Sequence, residues 1–315
     1  MKRRCDEHDY TQRGIYMITI ATECRLPLLG TLKGNPMVTN GDDQPHVDLS
    51  LLGERVRACW QDIPNHYPEV NVIKLCIMPD HIHGVLFVRE NMPRHLGTII
   101  NGFKTGTRKA AQELGIPPIR DTDASPQSKQ GVLWEPGYND RILLQEGQLQ
   151  RMLNYLDDNP RRLLLKQTHL QYFKSLGKLT IASFEMEAMG NSALLDKPVK
   201  LQVQCSRHLY QNEIEERKQY FLNAAQQGAV IVSPCISPGE KEIATAILEA
   251  KLPLIVLLLK GFPPFFKPQP HYLMACAEGH LLMISPYPWQ NEKIENMRKR
   301  CLQLNNIAAT ICKEK

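Results

Sequence analysis

Several common signatures are missing from this sequence. Its nine cysteines include no C-x-x-C pair, which argues against a zinc site or a disulfide framework. It contains neither G-x-G-x-x-G nor a Walker sequence, so a dinucleotide or NTP role has no support. The first residues, MKRRCDEHDYTQRG, lack the apolar core of a signal peptide, and the most apolar run, residues 252–259, is too short to span a bilayer. We therefore expect a cytoplasmic protein with reduced thiols.

What the chain does have is the composition of an ordinary globular protein. Its 315 residues, 43% hydrophobic and 23% charged, are enough for two domains. The formal net charge of +5 is compatible with a nucleic-acid partner but does not identify one. Composition therefore sets bounds on the function without selecting it.

The first half of the chain alternates strand and helix signals. Period-2 apolar patterns predict strands and 3.6-residue spacing predicts helices. The predicted order is strand, helix, two strands, helix, strand and helix, over segments 14–23, 49–63, 70–88, 96–115, 132–144 and 148–165. A polar stretch, residues 35–48, is expected to be an exposed loop. This order predicts a small α+β domain whose helices lie on one face of the sheet.

The second half has a different pattern. Residues 229–262 read as an apolar strand, a loop rich in Pro, Gly and Ser, a helix and another apolar strand. Continuous apolar strands separated by a helix predict a parallel sheet. We place the domain boundary within residues 177–191, which gives a first domain of residues 1–180 and a smaller α/β domain of residues 191–315.

One short motif carries chemistry. In IMPDHIHGVLFV, His81 and His83 are two residues apart on a predicted strand, so both imidazoles emerge on the same face. Neutral imidazole is a common ligand of divalent cations. The alternative is two polar residues on the solvated face of a sheet edge, and H-x-H alone leaves both interpretations open.

Five segments, in order, resemble the HUH single-tyrosine transposases, most closely the REP-associated tyrosine transposases and their insertion-sequence relatives. They are YMITIATECRLPLLG, IMPDHIHGVLFV, FKTGTRKAA, LWEPGYNDRIL and YLDDNPRRL, within residues 16–165. The resemblance implies a ferredoxin-like (RRM-like) antiparallel sheet with the histidine pair on a central strand. One departure is Asp80, where the family usually has asparagine; we expect little consequence from it.

The resemblance also implies a reaction. A tyrosine attacks single-stranded or hairpin DNA, giving a 5′-phosphotyrosine and a free 3′-hydroxyl, and the matching position is Tyr155. His81 and His83 would hold Mg²⁺ or Mn²⁺, with Asn159, four residues after Tyr155 on the predicted helix, as a third ligand. Alternatives stay open: Tyr155 as a packing residue, Asn159 as a helix terminator, and Tyr138 as the nucleophile. The other functional hypotheses are a domesticated hairpin-binding protein with little or no catalysis and an unrelated metal-binding protein with H-x-H.

Two stretches without acidic residues, 91–112 and 159–184, could supply a DNA surface. A run of like charge is more commonly a solvated face, so their position beside the proposed site is the argument for DNA. The sequence does not decide between a monomer and a homodimer. The basic residues proposed to bind DNA are Lys104, Arg108, Lys109, Arg161, Arg162 and Lys166.

The second domain weakly resembles the Rossmann-like domains of DNA-processing Smf-type proteins. Residues 233–241 follow a predicted strand and open a helix. Backbone amides at such a turn could hold an anion. The alternative is an ordinary structural turn in an accessory domain.

Overall fold

The computed structural model describes residues 8–38, 41–117, 133–169, 173, 178–181, 184–264 and 266–313. The chain divides into two compact units, Met1–Leu164 and Leu165–Lys315. The sequence pattern suggested a boundary further along the chain, at residues 177–191, a segment that is described only in part. The domain limits 1–180 and 191–315 therefore stay a prediction. Within the described ranges, no helix has both the length and the apolarity needed to cross a membrane.

The first unit alternates strands and helices, and its last helix runs across the division between the units. Its elements are β1 (Gly14–Ala21), β2 (Gly30–Lys33), β3 (His46–Leu49), α1 (Leu51–Gln61), α2 (Ile63–His66), β4 (Val70–Met78), β5 (His81–Val88), α3 (Leu96–Glu113), β6 (Asn139–Ile142), α4 (Gln148–Asp157) and α5 (Asn159–Thr168).

A four-stranded antiparallel sheet in the order β4-β5-β1-β6 organises this unit. On one face Ile18, Ile82 and their neighbours pack against α1 and α3. On the other face Met17 and Val85 pack against α4. The prediction that helices cover only one face is therefore wrong. Successive residues of β1 and β5 point to opposite faces of the sheet, and both faces are buried. The strong apolar character of both strands allows this.

Two local predictions also need correction. The predicted loop 35–48 contains the start of β3, which pairs with β2 in a separate two-stranded sheet. The single helix predicted over residues 148–165 is two helices, because α4 ends at Asp157 and α5 begins at Asn159. Pro160 explains the break, since it lacks an N–H and its ring clashes with the carbonyl four residues earlier.

The second unit begins with two strands and continues as a longer segment in which strands and helices alternate. Its elements are β7 (Lys178–Ile181), β8 (Phe184–Gly190), β9 (Lys200–Gln202), α6 (Gln211–Gln226), β10 (Val230–Ser233), α7 (Pro238–Glu249), β11 (Leu254–Leu257), α8 (Pro270–Ala277), β12 (Leu281–Ser285) and α9 (Met297–Lys313).

Its six-stranded sheet has the order β7-β8-β12-β11-β10-β9. The strands β9 to β12 are mutually parallel, which confirms the parallel pairing predicted for residues 229–262. The apolar residues of β10 to β12 alternate between a core shared with α9 and a core shared with α6, α7 and α8. Burial on both faces accounts for the continuous apolar runs in the sequence. The molecule as a whole is an α+β protein.

Candidate active site

The hairpin of β4 and β5 positions the two histidines. Across the sheet His83 pairs with Cys76 on β4 and with Thr19 on β1, while His81 pairs with Met78 and with Ala21. Since residues two apart on a strand share a face, both imidazoles lie on the face that α4 covers. This is an interior position, not the solvated sheet edge of the alternative interpretation.

The glycine after the motif fixes the strand from the opposite side. Gly84 faces the other side of the sheet, where a Cβ atom would lie 1.9 Å from Cζ2 of Trp60. Trp60 is fully buried on α1, so its ring packs directly on the backbone of β5. Only glycine permits so close an approach within a strand. The sequence H-x-H-G thus presents imidazoles on one face and a flat contact on the other.

The two imidazoles are oriented by their neighbours. Nδ1 of His81 lies 2.6 Å from Oδ1 of Asp80, and Nδ1 of His83 lies 2.8 Å from Oγ1 of Thr19. Their Nε2 atoms face each other at 3.2 Å. His83 is 6% exposed, so the pair is largely withdrawn from water. Fixing Nδ1 in this way directs Nε2 toward a shared point, as in histidines that bind metals.

The guanidinium of Arg25 lies near the Asp80 carboxylate. Nη1 of Arg25 is 3.6 Å from Oδ2 of Asp80, and its Nε is 3.6 Å from Oε1 of Glu135. Cys24 and Arg25 both have φ of 53°, a left-handed conformation that is uncommon outside glycine. Burial alone would raise the pKa of Asp80, but the hydrogen bond with His81 and the charges of His81 and Arg25 lower it overall. Asp80 is therefore a carboxylate in the site.

Tyr155 lies on α4, on the same side of the sheet as the histidines. Its ring centroid is 6.5 Å from that of His83. The guanidinium carbon of Arg162 lies 5.4 Å from the same tyrosine ring, and its Nη1 is 3.6 Å from Oδ2 of Asp158. Arg162 is only 5% exposed, so it contributes a buried positive charge beside the phenol.

Asn159 contacts Cys76, the strand neighbour of His83, but is not in the predicted helical relationship with Tyr155. Tyr155 and Asn159 were expected to be neighbours on one helix, whereas they lie on α4 and α5. Burial raises the pKa of Cys76, the strand neighbour of His83, to about 11, and a polar contact with the Asn159 side chain opposes this only in part. The buried Nδ2 of Asn159 makes no hydrogen bond of normal geometry to a described residue.

The basic residues proposed to bind DNA fall into two groups. Arg161, Arg162 and Lys166 lie on α5, which follows the tyrosine helix; Nε of Arg161 donates to the carbonyl oxygen of Pro36. Lys104, Arg108 and Lys109 lie on α3, which packs on the opposite face of the sheet. The ammonium group of Lys104 donates to the carbonyl oxygen of Glu135 at 2.8 Å. The structure does not bring the six into one cluster around the histidines.

The competing tyrosine occupies the core on that opposite face. Tyr138 is 4% exposed and packs within the apolar cluster of α1 and α3. Helix α4, which carries Tyr155, and the imidazoles on β5 lie on the other face of the sheet. The geometry therefore brings Tyr155, and not Tyr138, to the histidine pair.

Sequence reasoning missed the residues that support the site. Strand register places Thr19 and Cys76 opposite His83, and the turn after β1 brings Arg25 to Asp80. Thr19 is a polar residue in an apolar strand, a signal that threonine's ordinary preference for strands conceals. Asp80, for which the sequence predicts little consequence, contacts His81 directly.

Comparisons with known proteins give partial likenesses. No family model matches the chain. An uncharacterised protein of Haemophilus influenzae is 25% identical over 177 residues, 50% of this chain and 86% of that protein.

Among solved structures, a REP-associated tyrosine transposase bound to a REP hairpin has a TM-score of 0.34 and 13% identity, over 51% of this chain and 72% of that one. DNA processing protein A from Helicobacter pylori, studied for its single-stranded DNA binding, has a TM-score of 0.35 and 19% identity, over 45% and 67%. A candidate transposase from Deinococcus radiodurans has a TM-score of 0.28 and 18% identity, over 50% and 97%. Similarity this low does not assign the chain to a family.

Proposed function

We propose that the chain is a metal-dependent single-strand DNA endonuclease and strand transferase of the transposase type. The observation that carries this proposal is the position of Tyr155, whose ring lies 6.5 Å from that of His83 within one chain. A single phosphate could meet both the tyrosine hydroxyl and a cation held by the imidazoles. Covalent attack by a phenol conserves the energy of the phosphodiester for rejoining.

The fold of each unit supports the proposal. The elements β1, α1, β4, β5, α3 and β6 follow the β-α-β-β-α-β order of a ferredoxin-like (RRM-like) domain. The strand order β4-β5-β1-β6 gives the histidine strand β5 a partner on each side. In the second unit, the parallel strands β9 to β12 with helices on both faces support a Rossmann-like accessory domain.

The donor atoms fit a divalent cation that is also coordinated from outside the chain. The described residues contain no cluster of three His, Cys, Asp or Glu side chains able to hold a metal. His81 and His83 would hold Mg²⁺ or Mn²⁺ with the amide oxygen of Asn159, leaving positions for phosphate oxygens and water. Imidazole suits Mn²⁺ better than Mg²⁺. The cation would polarise the phosphate and offset developing negative charge.

The protein's own residues would carry out the transfer. The Tyr155 oxygen forms a bond to phosphorus and loses its proton, while the bond from phosphorus to the 3′-oxygen breaks and that oxygen takes up a proton. The products are a 5′-phosphotyrosine and a free 3′-hydroxyl. A phenol with a pKa of about 10 is a weak nucleophile at neutral pH. The guanidinium carbon of Arg162 lies 5.4 Å from the centre of the Tyr155 ring and would hold that ring in place.

The DNA strand would reach this site past α5. Arg161, Arg162 and Lys166 adjoin the tyrosine helix and form the nearer part of the proposed DNA surface. Lys104, Arg108 and Lys109 could contact only DNA that also reaches the α3 side. Because the tyrosine and histidines of one chain already adjoin, the proposed step needs no second subunit, although a homodimer remains compatible with it.

The test uses covalent capture. Single-stranded oligonucleotides carrying a hairpin with randomised flanks are incubated with the full chain and Mn²⁺, and protein–DNA adducts are separated under denaturing conditions. The wild type should form an adduct through the 5′ side of the break. Tyr155→Phe should form none, because it lacks the attacking oxygen, yet should bind the hairpin within about twofold of the wild type.

The matched control is Tyr138→Phe, which removes the hydroxyl of the competing tyrosine and should still form the adduct. An adduct formed by Tyr155→Phe would reject Tyr155 as the nucleophile. If the wild type binds the hairpin but forms no adduct in Mn²⁺ or Mg²⁺, the hairpin-binding hypothesis replaces the enzyme.

A further inference from the structure

The contacts around the histidine pair favour one arrangement of its protons. The carboxylate of Asp80 can only accept, so Nδ1 of His81, 2.6 Å away, is the donor. A neutral imidazole has a single N–H, which leaves Nε2 of His81 as an acceptor. With Nε2 of His81 an acceptor, the 3.2 Å contact between the two Nε2 atoms is a hydrogen bond when His83 donates from Nε2.

The tautomer of His83 also sets the hydrogen-bonding role of Thr19. If neutral His83 carries its proton on Nε2, its Nδ1 is an acceptor, so the Thr19 hydroxyl 2.8 Å away must donate to it. A hydroxyl can reverse this role, because it can donate or accept after rotating about its C–O bond.

A divalent cation imposes the opposite arrangement on His83. Coordination by both imidazoles requires both Nε2 atoms to be unprotonated. His81 already meets this condition because Asp80 holds its proton on Nδ1. His83 does not, and must carry its proton on Nδ1 when the metal binds.

We propose that Thr19 is a tautomer switch for His83: its hydroxyl donates to Nδ1 without metal and accepts from Nδ1–H when a divalent cation binds, while Asp80 keeps His81 permanently in the metal-binding tautomer. This rests on the proposed metal site, and it makes Thr19 and Asp80 positioning residues. No proton is gained or lost by the pair; one proton moves between the nitrogens of one ring, through solvent, and the threonine hydroxyl turns over.

The switch is read directly by NMR. In the full chain labelled with ¹⁵N-histidine, long-range ¹H–¹⁵N correlations at about pH 8, where a reference imidazole is neutral, report which ring nitrogen carries hydrogen. Without metal, His81 should be protonated on Nδ1 and His83 on Nε2. With Zn²⁺, a diamagnetic probe that favours imidazole, both rings should be protonated on Nδ1. His83→Ala and His81→Ala provide the resonance assignments.

Metal affinity supplies the second readout. Thr19→Val keeps the side-chain shape but can neither donate nor accept, so Mn²⁺ and Zn²⁺ affinity by calorimetry should fall about tenfold. Thr19→Ser should restore it. Asp80→Asn should lower affinity about tenfold as well and allow both His81 tautomers. Thr31→Val, at an exposed position of β2, should leave affinity unchanged.

His83 protonated on Nδ1 without metal would overturn the switch, as would wild-type affinity in Thr19→Val or no Zn²⁺ and Mn²⁺ binding by the wild type. The expected tautomers and affinities in a protein that forms no DNA adduct would uphold this inference while rejecting the proposed transposase activity.

Discussion

The histidine pair of the first unit and the loop 233–241 of the second unit both resemble ligand sites in sequence. They differ in whether the groups that would bind a ligand are already used by another side chain of the protein. At the histidines, neighbouring side chains hold the Nδ1 atoms and direct the Nε2 atoms toward each other. At the loop, the chain's own carboxylate occupies the position of a ligand. Glu240 is 2% exposed and sits in the first turn of α7.

The hydrogen bonds of Glu240 account for this closure. Its carboxylate accepts from the backbone N–H groups of Ile236 at 2.7 Å, Ser237 at 3.2 Å and Cys205 at 3.1 Å. Ser237 caps the helix by accepting from the Glu240 N–H at 3.2 Å. This capping box uses the same amides that would bind an external anion. The comparison teaches that loop amides form an anion site only when no residue of the chain already uses them.

The largest expected effect comes from opening the closed site. Glu240→Ala leaves three backbone donors without their acceptor, each costing about 1–3 kcal/mol when buried, so the second unit should lose roughly 3 kcal/mol or more. The measurement is hydrogen exchange of the β10 and β11 amides in the full chain. Glu249→Ala, an exposed position on the same helix, should change stability by less than about 0.5 kcal/mol. A loss below about 1 kcal/mol in Glu240→Ala would mean that the carboxylate does not close the site.

A smaller effect should appear when inorganic phosphate is added. In Glu240→Ala, phosphate can accept from the vacated amides, and at ten times its Kd it should return about 1.4 kcal/mol. The wild type should gain no more than Glu249→Ala, which controls for the general effect of phosphate on stability. Matched sodium chloride controls for ionic strength. Phosphate-specific stabilisation of the wild type would restore the anion-site hypothesis for residues 233–241.

Sequence reasoning succeeded where a signal was local. The H-x-H spacing predicts two imidazoles on one face, and the two strands predicted over residues 70–88 are the antiparallel pair β4 and β5 that carries them. The capping box is equally local, since Ser237 and Glu240 are three residues apart. The sequence pattern predicts a loop there but does not assign Glu240 as the partner of the loop amides. The partners Thr19 and Cys76 could not be assigned, because strand register depends on packing far apart in the chain.

The break between α4 and α5 shows why the relative positions of residues along one predicted helix were less predictable. The sequence leaves open whether Asn159 ends a helix, and pairing Tyr155 with Asn159 requires one continuous helix. Pro160 divides the segment, and tertiary contacts decide where each piece lies. Asn159 nevertheless comes close to the site because Cys76, its neighbour, pairs with His83.

The smallest effect concerns the reactivity of one cysteine in each of the two regions. Burial raises the pKa of Cys76 beside the histidines and of Cys235 in the loop, in both cases to about 11. At pH 8 about one such thiol in a thousand is a thiolate, so alkylation should be on the order of a hundredfold slower than for a thiol whose pKa is about 8.5. Peptide mass spectrometry after iodoacetamide treatment should find the exposed Cys24 labelled first. Cys76 should label equally slowly with and without Mn²⁺, since a neutral thiol is not a metal ligand. Rapid labelling of Cys76 that Mn²⁺ suppresses would instead add a sulfur donor to the two imidazoles, and the first site would then favour a softer metal than Mg²⁺ or Mn²⁺.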